Sequence, residues 1–464
     1  MSVVTEKKGA GGRAIPILAT DKKRLPVLLK SLNAAERRWA EGCEFDAEPN
    51  TFAVVPDSKG AIARVLAGVR GADDPWSLAG LALKLPQGRY TLGKGPVAIA
   101  PEAAAFAWEL GGYRFTRYKK SKARAAELQL ASSPSVKAAL ELALAVKLVR
   151  DVVNTPAEDM GPEQLSQAVK KEADAFGGKF REWVGDELLA ENFPAIHAVG
   201  RAAARPPRLM EIRWGNPRDP KLAIVGKGVC FDTGGLDLKT HEGMRLMKKD
   251  LGGAAHALAL ARLVMQRKLP YSLHLLIPAV ENAVSGNAYR PGDIVPTRKG
   301  LKVEIGNTDA EGRVILCDAL AYAVEQKPRT IVDFATLTGA ARVALGPELP
   351  VLFCNDEKLA ARLEASADAV DDPIWRLPLW RNYRRLFDSD VADFSNSGRG
   401  SFAGSIVAAL FLDYFVPRDI AWAHFDTYAW NDINRPGRPI GGEAQGLRAV
   451  LAALEHAVEG RAGT

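Results

Sequence analysis

The sequence has few cysteines, the residues that form disulfides and zinc–thiolate sites. Its four cysteines, Cys43, Cys230, Cys317 and Cys354, are widely separated and form no C-x-x-C pair. This pattern argues against a disulfide framework and against a zinc–thiolate cluster. We therefore expect all four thiols to be reduced and buried. No apolar run approaches the ~20 residues that a membrane-spanning helix needs, so no membrane association is expected.

Several common catalytic and nucleotide-binding motifs are also missing. The stretch T-H-E-G-M-R at residues 240–245 begins like a zincin helix, but Arg245 stands where the second histidine of H-E-x-x-H is required. No G-x-x-x-x-G-K-[ST] phosphate loop occurs, and G-K-G at residues 226–228 lacks the third glycine of a dinucleotide fingerprint. The six histidines are scattered, and each is interpreted as a packing or surface residue rather than a metal ligand.

The charge balance is mildly basic. The sequence carries 62 Lys and Arg against 55 Asp and Glu, a net charge of +7, which permits nucleic-acid contact without requiring it. The basic stretch Y-R-F-T-R-Y-K-K-S-K-A-R at residues 113–124 is interpreted as a solvated face, with DNA binding as the alternative. The apolar segment at residues 14–19 is too short for the core of a signal peptide, so we expect a cytoplasmic protein.

The length of the chain and the pattern of its strand-like and helix-like segments predict more than one domain. At 464 residues the chain exceeds one typical hydrophobic core. Residues 1–133 carry short strand-like runs at 51–55 and 61–69, and a helix-like stretch at 75–83. We predict a smaller N-terminal α/β domain over this segment.

A linker helix and a larger α/β domain are predicted to follow. Apolar residues at four-residue spacing indicate an amphipathic helix over residues 134–153, with Ser133 or Ser135 near its N-cap. Residues 154–464 then alternate helix-like segments with largely apolar strand-like segments. Such alternation predicts a larger C-terminal α/β domain whose central sheet is mostly parallel or mixed and is flanked by helices.

Charged side chains gather in a glycine-rich loop that follows a predicted strand. Lys227, Asp232 and Lys239 lie within residues 226–240, just past the carboxyl end of a strand, where open α/β sheets usually hold their ligands. Asp250 stands directly before a predicted helix. A carboxylate there can serve as an N-cap, so that position has a structural interpretation as well.

A second acidic stretch, N-T-D-A-E-G-R at residues 307–313, contains Asp309 and Glu311. By itself it could be a solvated turn. Four carboxylates brought together, however, need a cation or protons, and a pair of divalent metals is the usual solution. A lysine beside two metals can coordinate as a neutral amine, since positive charge depresses its pKa. An oxygen-rich site without imidazole suits manganese or magnesium, and zinc also accepts carboxylates.

Three motifs together resemble those of the leucyl aminopeptidase family of dinuclear metallopeptidases. They are G-K-G-V-C-F-D-T-G-G-L-D-L-K at residues 226–239, M-K-K-D-L-G-G-A-A at 247–255 and N-T-D-A-E-G-R at 307–313. The order and spacing agree as well, with Asp309 standing 82 positions after Lys227. The resemblance runs from about residue 152 to the C-terminus, whereas the first ~130 residues match only in general layout.

The resemblance implies an aminopeptidase that removes the N-terminal residue of a peptide with a water activated by two divalent ions, Mn²⁺ or Zn²⁺, held by the C-terminal domain. Asp232 and Glu311 would bridge the two ions. Lys239 would polarise the scissile carbonyl, and Arg313 would hold a bicarbonate ion that acts as general base. The implied metal ligands are Lys227, Asp232, Asp250, Asp309 and Glu311.

The resemblance also bears on substrate and assembly. The family's apolar pocket falls on Met247, Thr336 and Gly339, which implies a preference for Leu, Met or another apolar first residue. The run P-I-G-G-E-A-Q-G-L-R at residues 439–448 departs from the T-G-F-G-V-R ending of many members at the far wall of that pocket. Family membership further implies a homohexamer, a dimer of trimers whose active sites face an enclosed interior. A DNA-binding or regulatory role on the same scaffold is the alternative function.

Overall fold

The computed structural model describes residues 2–6, 14–72, 74–122 and 124–462, with side chains described as far as residue 458. Within them the chain forms two compact units, one of residues 1–147 and 432–440 and the other of residues 148–431 and 441–464. The division falls inside a helix at Pro134–Asn154. The Val136 N–H donates to Ser133 Oγ over 3.2 Å, so Ser133 caps this helix as expected.

The first unit is built on a six-stranded sheet. Its strands lie in the order β1-β6-β5-β2-β4-β3, and every pair is parallel except β3 with β4. The predicted strands at 51–55 and 61–69 are confirmed as β3 and β4. The elements are β1 (Val3–Glu6), β2 (Ile15–Thr20), α1 (Leu25–Ser31), α2 (Ala34–Gly42), β3 (Phe52–Pro56), β4 (Ile62–Gly68), β5 (Arg89–Leu92), α3 (Pro101–Gly111) and β6 (Glu127–Ala131).

The helix predicted at residues 75–83 is wrong. These residues form successive turns, in which Ala79 donates to Trp76 O and Leu81 donates to Leu78 O. Leu78 has φ of 69°, a left-handed conformation that no α-helix of L-residues accommodates. The apolar side chains of this stretch are instead buried by a series of turns.

The basic stretch at residues 113–124 connects α3 to β6 and contains neither helix nor strand in its described residues. Tyr113 is buried there, while most of the other described side chains are exposed. Ala123 lies outside the described residues. DNA binding by this stretch stays a prediction.

The second unit has a nine-stranded mixed sheet at its centre. The strand order is β16-β15-β18-β14-β9-β11-β8-β7, with β10 also paired to β11. The inner pairs β9–β11, β9–β14 and β14–β18 are parallel, and the pairs of β8 with β11 and β15 with β18 are antiparallel. The strands are β7 (Lys179–Val184), β8 (Arg208–Trp214), β9 (Lys221–Gly226), β10 (Gly228–Asp232), β11 (Ser272–Asn282), β12 (Ile294–Pro296), β13 (Lys302–Glu304), β14 (Thr330–Ala335), β15 (Val351–Cys354), β16 (Trp375–Arg376), β17 (Phe394–Ser395), β18 (Ala421–Asp426), β19 (Trp430–Asn431) and β20 (Gly441–Gly442).

Helices cover this sheet, which confirms the predicted α/β class with a mixed sheet. None of the described helices combines the length and apolar character that crossing a bilayer requires. The helices are α4 (Pro134–Asn154), α5 (Pro162–Phe176), α6 (Glu187–Ala190), α7 (Pro194–Gly200), α8 (His241–Met244), α9 (Gly252–Gln266), α10 (Glu311–Glu325), α11 (Gly339–Leu345), α12 (Glu357–Ala369), α13 (Gly404–Asp413) and α14 (Leu447–Ala462), with 3₁₀ helices at Ala157–Asp159, Met247–Leu251 and Arg381–Phe387.

The start of α9 approaches the sheet closely enough to require glycine. A Cβ on Gly253 would lie 2.1 Å from Phe334 O of β14, a distance that no side chain tolerates. Small residues in α9 therefore let the helix settle on the sheet, and nearly all of this helix is buried. This contact brings the loop before α9 to the carboxyl ends of the strands.

The cysteines follow the prediction with one exception. All four are free, and Cys230, Cys317 and Cys354 are buried. Cys43 is exposed, because it is the C-cap residue of α2 and lies outside the buried face of that helix. The prediction that all four thiols are buried is therefore wrong at this position.

An ion pair buried in the second unit offers a test of the packing. Arg150 Nη2 lies 3.2 and 3.1 Å from the two carboxylate oxygens of Glu443, and both side chains are buried. We expect Glu443→Gln to lower the free energy of unfolding by about 3–5 kcal/mol, because it removes the negative charge that faces a buried guanidinium. Urea denaturation followed by circular dichroism measures the change.

A matched control is Glu357→Gln, which removes the counter-ion of Arg376 at the surface. The Glu357 side chain is 82% exposed, so water replaces the lost contact and we expect a much smaller change. Equal destabilisation by the two substitutions would contradict the assignment of the Arg150–Glu443 pair as a buried structural contact.

Candidate active site

The predicted site residues meet at the carboxyl ends of the central strands. Lys227 follows β9 directly, Asp232 is the last residue of β10, and Glu311 is the first residue of α10. The Lys227 N–H donates to Phe334 O over 3.0 Å, and Lys227 O accepts from Ala254 N over 2.7 Å. The backbone of Lys227 is thus fixed between β14 and α9, and its side chain is directed by both.

Lys227 lies between two carboxylates. Its Nζ is 2.8 Å from Asp250 Oδ2 and 2.9 Å from Glu311 Oε1, and donates to Thr336 O over 3.0 Å. Burial disfavours the charged amine, but Asp250, Glu311 and Asp232 outweigh it, and the pKa of Lys227 is raised. With no ion between them, this arrangement favours the ammonium form of Lys227; a divalent ion would displace the proton, because nearby positive charge lowers the pKa of an amine, and Lys227 could then bind the ion.

Gly312 makes room for this lysine. A Cβ at Gly312 would lie 2.4 Å from Lys227 Cε and 2.6 Å from its Nζ. The glycine of the N-T-D-A-E-G-R stretch is therefore required by the close approach of the Lys227 side chain to α10.

Lys239 makes the corresponding contacts on the other side of the cluster. Its Nζ lies 2.8 Å from Asp232 Oδ2 and also contacts Asp309 Oδ1. Burial opposes the charged form, yet the nearby Asp232 and Glu311 raise the pKa of Lys239. Gly234 and Gly235, with φ of 88° and 65°, allow the tight loop that turns Lys239 back toward the acids.

Three carboxylates converge on one point. Asp232, Asp309 and Glu311 each offer an oxygen within 4.8 Å of the others. Burial, with repulsion from Asp232, raises the pKa of Glu311 to about 8 and that of Asp309 to about 6. The fourth acid, Asp250, behaves differently, because Lys227 and Lys249 overcome the effect of burial and lower its pKa.

This donor set fits divalent metal ions. Glu311 Oε2 is buried and has no hydrogen-bond partner in the described residues, which is costly unless a cation binds it. The cluster offers carboxylate oxygens and one amine, and contains no imidazole or thiolate among the described side chains around it. Hard, oxygen-preferring ions suit such ligands, and zinc also accepts them.

The N-cap interpretation of Asp250 does not hold. Asp250 lies in the 3₁₀ helix Met247–Leu251, and α9 begins after Leu251 without a side-chain cap. Asp250 Oδ1 instead accepts from Thr336 Oγ1 over 2.7 Å. The carboxylate is directed into the cluster and away from the free N–H groups of the helix.

Two polar residues that the sequence interpretation missed hold the cluster in place. Asn282, the last residue of β11, donates from Nδ2 to Asp232 Oδ1 over 2.9 Å and to Thr308 O over 3.0 Å. Thr308 Oγ1 donates to Gly234 O over 2.6 Å and accepts from Asp237 N over 2.8 Å. The position of Asn282 at the carboxyl end of an apolar strand was the available signal.

Arg313 lies beside a cavity of about 310 Å³ that Asp309, Gly339 and Phe402 also line. Its Nη1 donates to Asn396 O over 2.8 Å, whereas its Nε has no hydrogen-bond partner in the described residues. Burial lowers the pKa of Arg313 to about 10, with partial compensation by Glu311 and Asp426. The guanidinium therefore has donor capacity to spare for an anion.

Asn396 secures the wall of this cavity next to Arg313. It is fully buried, and its Oδ1 accepts from the N–H groups of Gly306 and Asn307 over 2.8 and 3.1 Å. Its Nδ2 donates to Asn307 O over 2.8 Å. The glycine-rich segment at residues 395–406 is thereby bound to the acidic stretch that precedes α10.

The three residues of the predicted substrate pocket differ in burial and in position. Thr336 is buried against Asp250, Met247 is half-buried at the start of the 3₁₀ helix, and Gly339 is exposed at the start of α11. Of the three, Gly339 lines the cavity beside Arg313. Met247 and Thr336 flank Asp250 on the other side of the cluster.

Asp426 fixes the loop that joins Thr336 to α11. Its Oδ1 accepts from the N–H groups of Leu337 and Thr338 over 3.0 and 3.1 Å. Its Oδ2 accepts from Thr338 Oγ1 over 2.6 Å and from Ser405 Oγ over 3.0 Å. Sequence interpretation assigned no role to this buried carboxylate, because its partners lie far away along the chain.

Comparison with known proteins agrees with this geometry. The model of the cytosol aminopeptidase family, catalytic domain, matches residues 147–451, and that of the M17 aminopeptidase N-terminal domain matches residues 15–131. A probable cytosol aminopeptidase of Syntrophotalea carbinolica is 40% identical over 396 residues, which cover 81% of this chain and 78% of the relative.

Solved structures extend the likeness to the whole chain. A cytosol aminopeptidase from Coxiella burnetii is 48% identical, with a TM-score of 0.94, and the match covers 98% of this chain and 99% of that one. The bottromycin maturation enzyme BotP in complex with Mn is 30% identical, with a TM-score of 0.86 and coverage of 96% and 99%. The chain therefore belongs to the cytosol aminopeptidase family, the M17 peptidases, which are hydrolases that act on the N-terminal residues of peptides.

Proposed function

We propose that this aminopeptidase works with two divalent ions held by the acid cluster and that Lys239 and Arg313 carry out the chemistry. The observation that carries the proposal is the convergence of Asp232, Asp309 and Glu311 within 4.8 Å, with Lys227 between Glu311 and Asp250. The family is metal-dependent, and BotP, a solved relative, was determined in complex with Mn. The residues proposed to hold the ions are Lys227, Asp232, Asp250, Asp309 and Glu311.

When bound, two divalent ions would lower the pKa of a water molecule and polarise the scissile carbonyl. Lys239 contacts Asp232 and Asp309, and in this proposal its Nζ donates to the oxygen that gains negative charge as the peptide bond is attacked. Asp309 and Asp232 hold this ammonium in position before the substrate arrives, so little reorganisation is needed.

Arg313 is proposed to hold bicarbonate, which would accept a proton from the attacking water. Its unpartnered Nε and the adjoining cavity of about 310 Å³ support this role. Arg313 itself stays protonated at neutral pH, because its pKa of about 10 lies well above that range. It can therefore bind the anion but does not itself accept the proton.

The remaining expectations concern substrate, assembly and location. Resemblance at Met247, Thr336 and Gly339, taken by itself, implies peptides with an apolar first residue. A homohexamer is supported by Val343 and Phe402, which are 90% and 89% exposed, since large apolar side chains on a surface favour contact with other chains. The four free cysteines support a reducing, cytoplasmic location.

The proposed metal ligands are tested by Asp309→Asn and Glu311→Gln. We expect each variant to lose metal-dependent hydrolysis of leucine amides, because a carboxylate ligand is replaced by a neutral amide that binds cations weakly. Metal content by mass spectrometry and circular dichroism separate loss of ligand from loss of fold. Near-normal turnover by either folded variant would overturn the assignment.

The role of Arg313 is tested by Arg313→Ala. We expect kcat to fall about 100-fold with measurable activity remaining, because assistance to proton transfer is lost while the metal ligands stay in place. The variant should also lose any stimulation of the rate by added bicarbonate. If the folded variant no longer retained metal, Arg313 would instead act by positioning the metal ligands.

Assembly is tested by light scattering of the purified protein. We expect the mass of a hexamer, and Phe402→Asp should shift it toward smaller species because a charge is then buried in an apolar contact. A monomer at micromolar concentration would contradict the proposed assembly.

A further inference from the structure

A buried lysine lies next to the acid cluster without a counter-ion of its own. Lys249, in the 3₁₀ helix Met247–Leu251, is 5% exposed. Within the described part of the chain its Nζ has no hydrogen bond and no ion pair, only a ring contact. The neighbouring Asp250 gives its two oxygens to Thr336 and Lys227. Burial disfavours the charged form of this amine and Asp250 compensates only in part, so an anion bound beside it would stabilise that form.

The ring of Tyr428 brings this lysine close to a second cation. Lys249 Nζ lies 5.0 Å from the ring centroid, and the guanidinium carbon of Arg342 lies 4.4 Å from the same centroid. Arg342 is exposed, and no ion pair of its side chain occurs among the described residues. Cation–π contacts hold both groups in place. They do not neutralise the two positive charges, which repel each other.

Both cations adjoin residues of the predicted substrate pocket. Met247 stands two positions before Lys249 in the same short helix. A Cβ at Gly339 would lie 3.6 Å from Arg342 Nη2. Gly339, one of the three residues expected to contact the first side chain of the substrate, therefore lies close to the charge of Arg342, and Met247 belongs to the same short helix as Lys249.

The third pocket residue borders the chain segment that carries the tyrosine. A Cβ at Gly252 would lie 2.4 Å from Ala429 Cβ and 2.9 Å from Thr336 Cγ2. Ala429 follows Tyr428 in sequence. Thr336 therefore lies beside the Tyr428 segment at the start of α9, and the two cations that contact the Tyr428 ring lie in the same part of the molecule as the pocket residues.

We propose that this pocket takes an acidic first residue, and that Lys249 and Arg342 bind the side-chain carboxylate of an N-terminal Glu or Asp. The inference rests on the proposed aminopeptidase function, because it names the substrate class of that same site. The carboxylate supplies the counter-ion that Lys249 lacks, and the planar guanidinium of Arg342 can bind it through two parallel hydrogen bonds. An apolar side chain would leave both charges without a partner.

The test compares the p-nitroanilides of L-Glu, L-Gln and L-Leu with Mn²⁺-loaded native enzyme. Gln matches Glu in length and shape but has no charge, so the pair isolates the carboxylate. We expect kcat/KM for Glu to exceed that for Gln by about tenfold, since a charge-assisted hydrogen bond in a buried site discriminates by at least that factor. A Glu-to-Gln ratio of one or below overturns the inference.

Substitutions at Lys249 identify the group responsible. Lys249→Met keeps an unbranched side chain without charge, and should lower the Glu-to-Gln ratio about tenfold; Lys249→Arg should keep the ratio above one. The control is Lys248→Met, because Lys248 Nζ donates to Asn154 O over 2.7 Å and contacts no pocket residue named above. It should leave the ratio as in the native enzyme. Equal effects at both lysines would overturn the assignment.

A binding measurement avoids dependence on turnover and on the folding of any variant. L-Glutamate should raise the melting temperature of the Mn²⁺-loaded native protein more than L-glutamine does at equal concentration, since only the former pairs with the two cations. Arg342→Gln, at an exposed position, should reduce this difference. Equal shifts with the two amino acids count against the inference.

The outcomes separate this inference from the function on which it rests. If none of the three anilides is hydrolysed with Mn²⁺ present, the proposed two-metal function fails. If L-Leu is hydrolysed while Glu is no better than Gln, only the acidic pocket fails. If Lys249→Met instead abolishes a preference for Leu-Gly over leucinamide, the two cations bind the C-terminal carboxylate of dipeptides and the inference is overturned.

Discussion

Charge balance among buried acids and amines is the constraint on which the catalytic half of this molecule depends. Four carboxylates cannot share one buried space as anions unless positive charge lies between them. Lys227 supplies it between Asp250 and Glu311, and Lys239 supplies it between Asp232 and Asp309. Asp232 ends β10, Asp250 lies in the 3₁₀ helix before α9, and Glu311 begins α10, so the charges meet where these elements converge.

The sequence predicted the parts of the site that depend on local motifs. The order of lysines and acids identified the residues that meet in the acid cluster, where Gly312 leaves room for the side chain of Lys227. The apolar strands and the helices at Pro134–Asn154 and Gly252–Gln266 were also predictable, since burial on one or both faces leaves a periodic signal.

The parts of the fold and of the site that the sequence did not predict depend on contacts between residues distant in sequence. Asn282 supports Asp232 from a strand fifty positions away, and its place at the end of an apolar strand marks it as a candidate without identifying its partner. The turns that begin near Pro75 carry helix-like spacing, but Leu78 adopts a left-handed backbone that its sequence does not announce. The sequence analysis assigned no role to Lys249, which is distinguished by its burial beside Tyr428.

Two buried polar residues, Asn396 and Asp426, hold the two ends of the glycine-rich segment that lines the Arg313 cavity. Asn396 binds one end of the glycine-rich segment to the stretch before α10, and Asp426 binds Ser405 at the other end to the loop after β14. Between these two contacts, in residues 397–404, the hydrogen bond of a side chain that the structure describes runs from Arg399 Nη2 to Asp388 O, away from the proposed metal ligands. Changes of length or composition can therefore accumulate in that span during evolution without moving the catalytic groups, so that access to the site can diversify while the chemistry is retained.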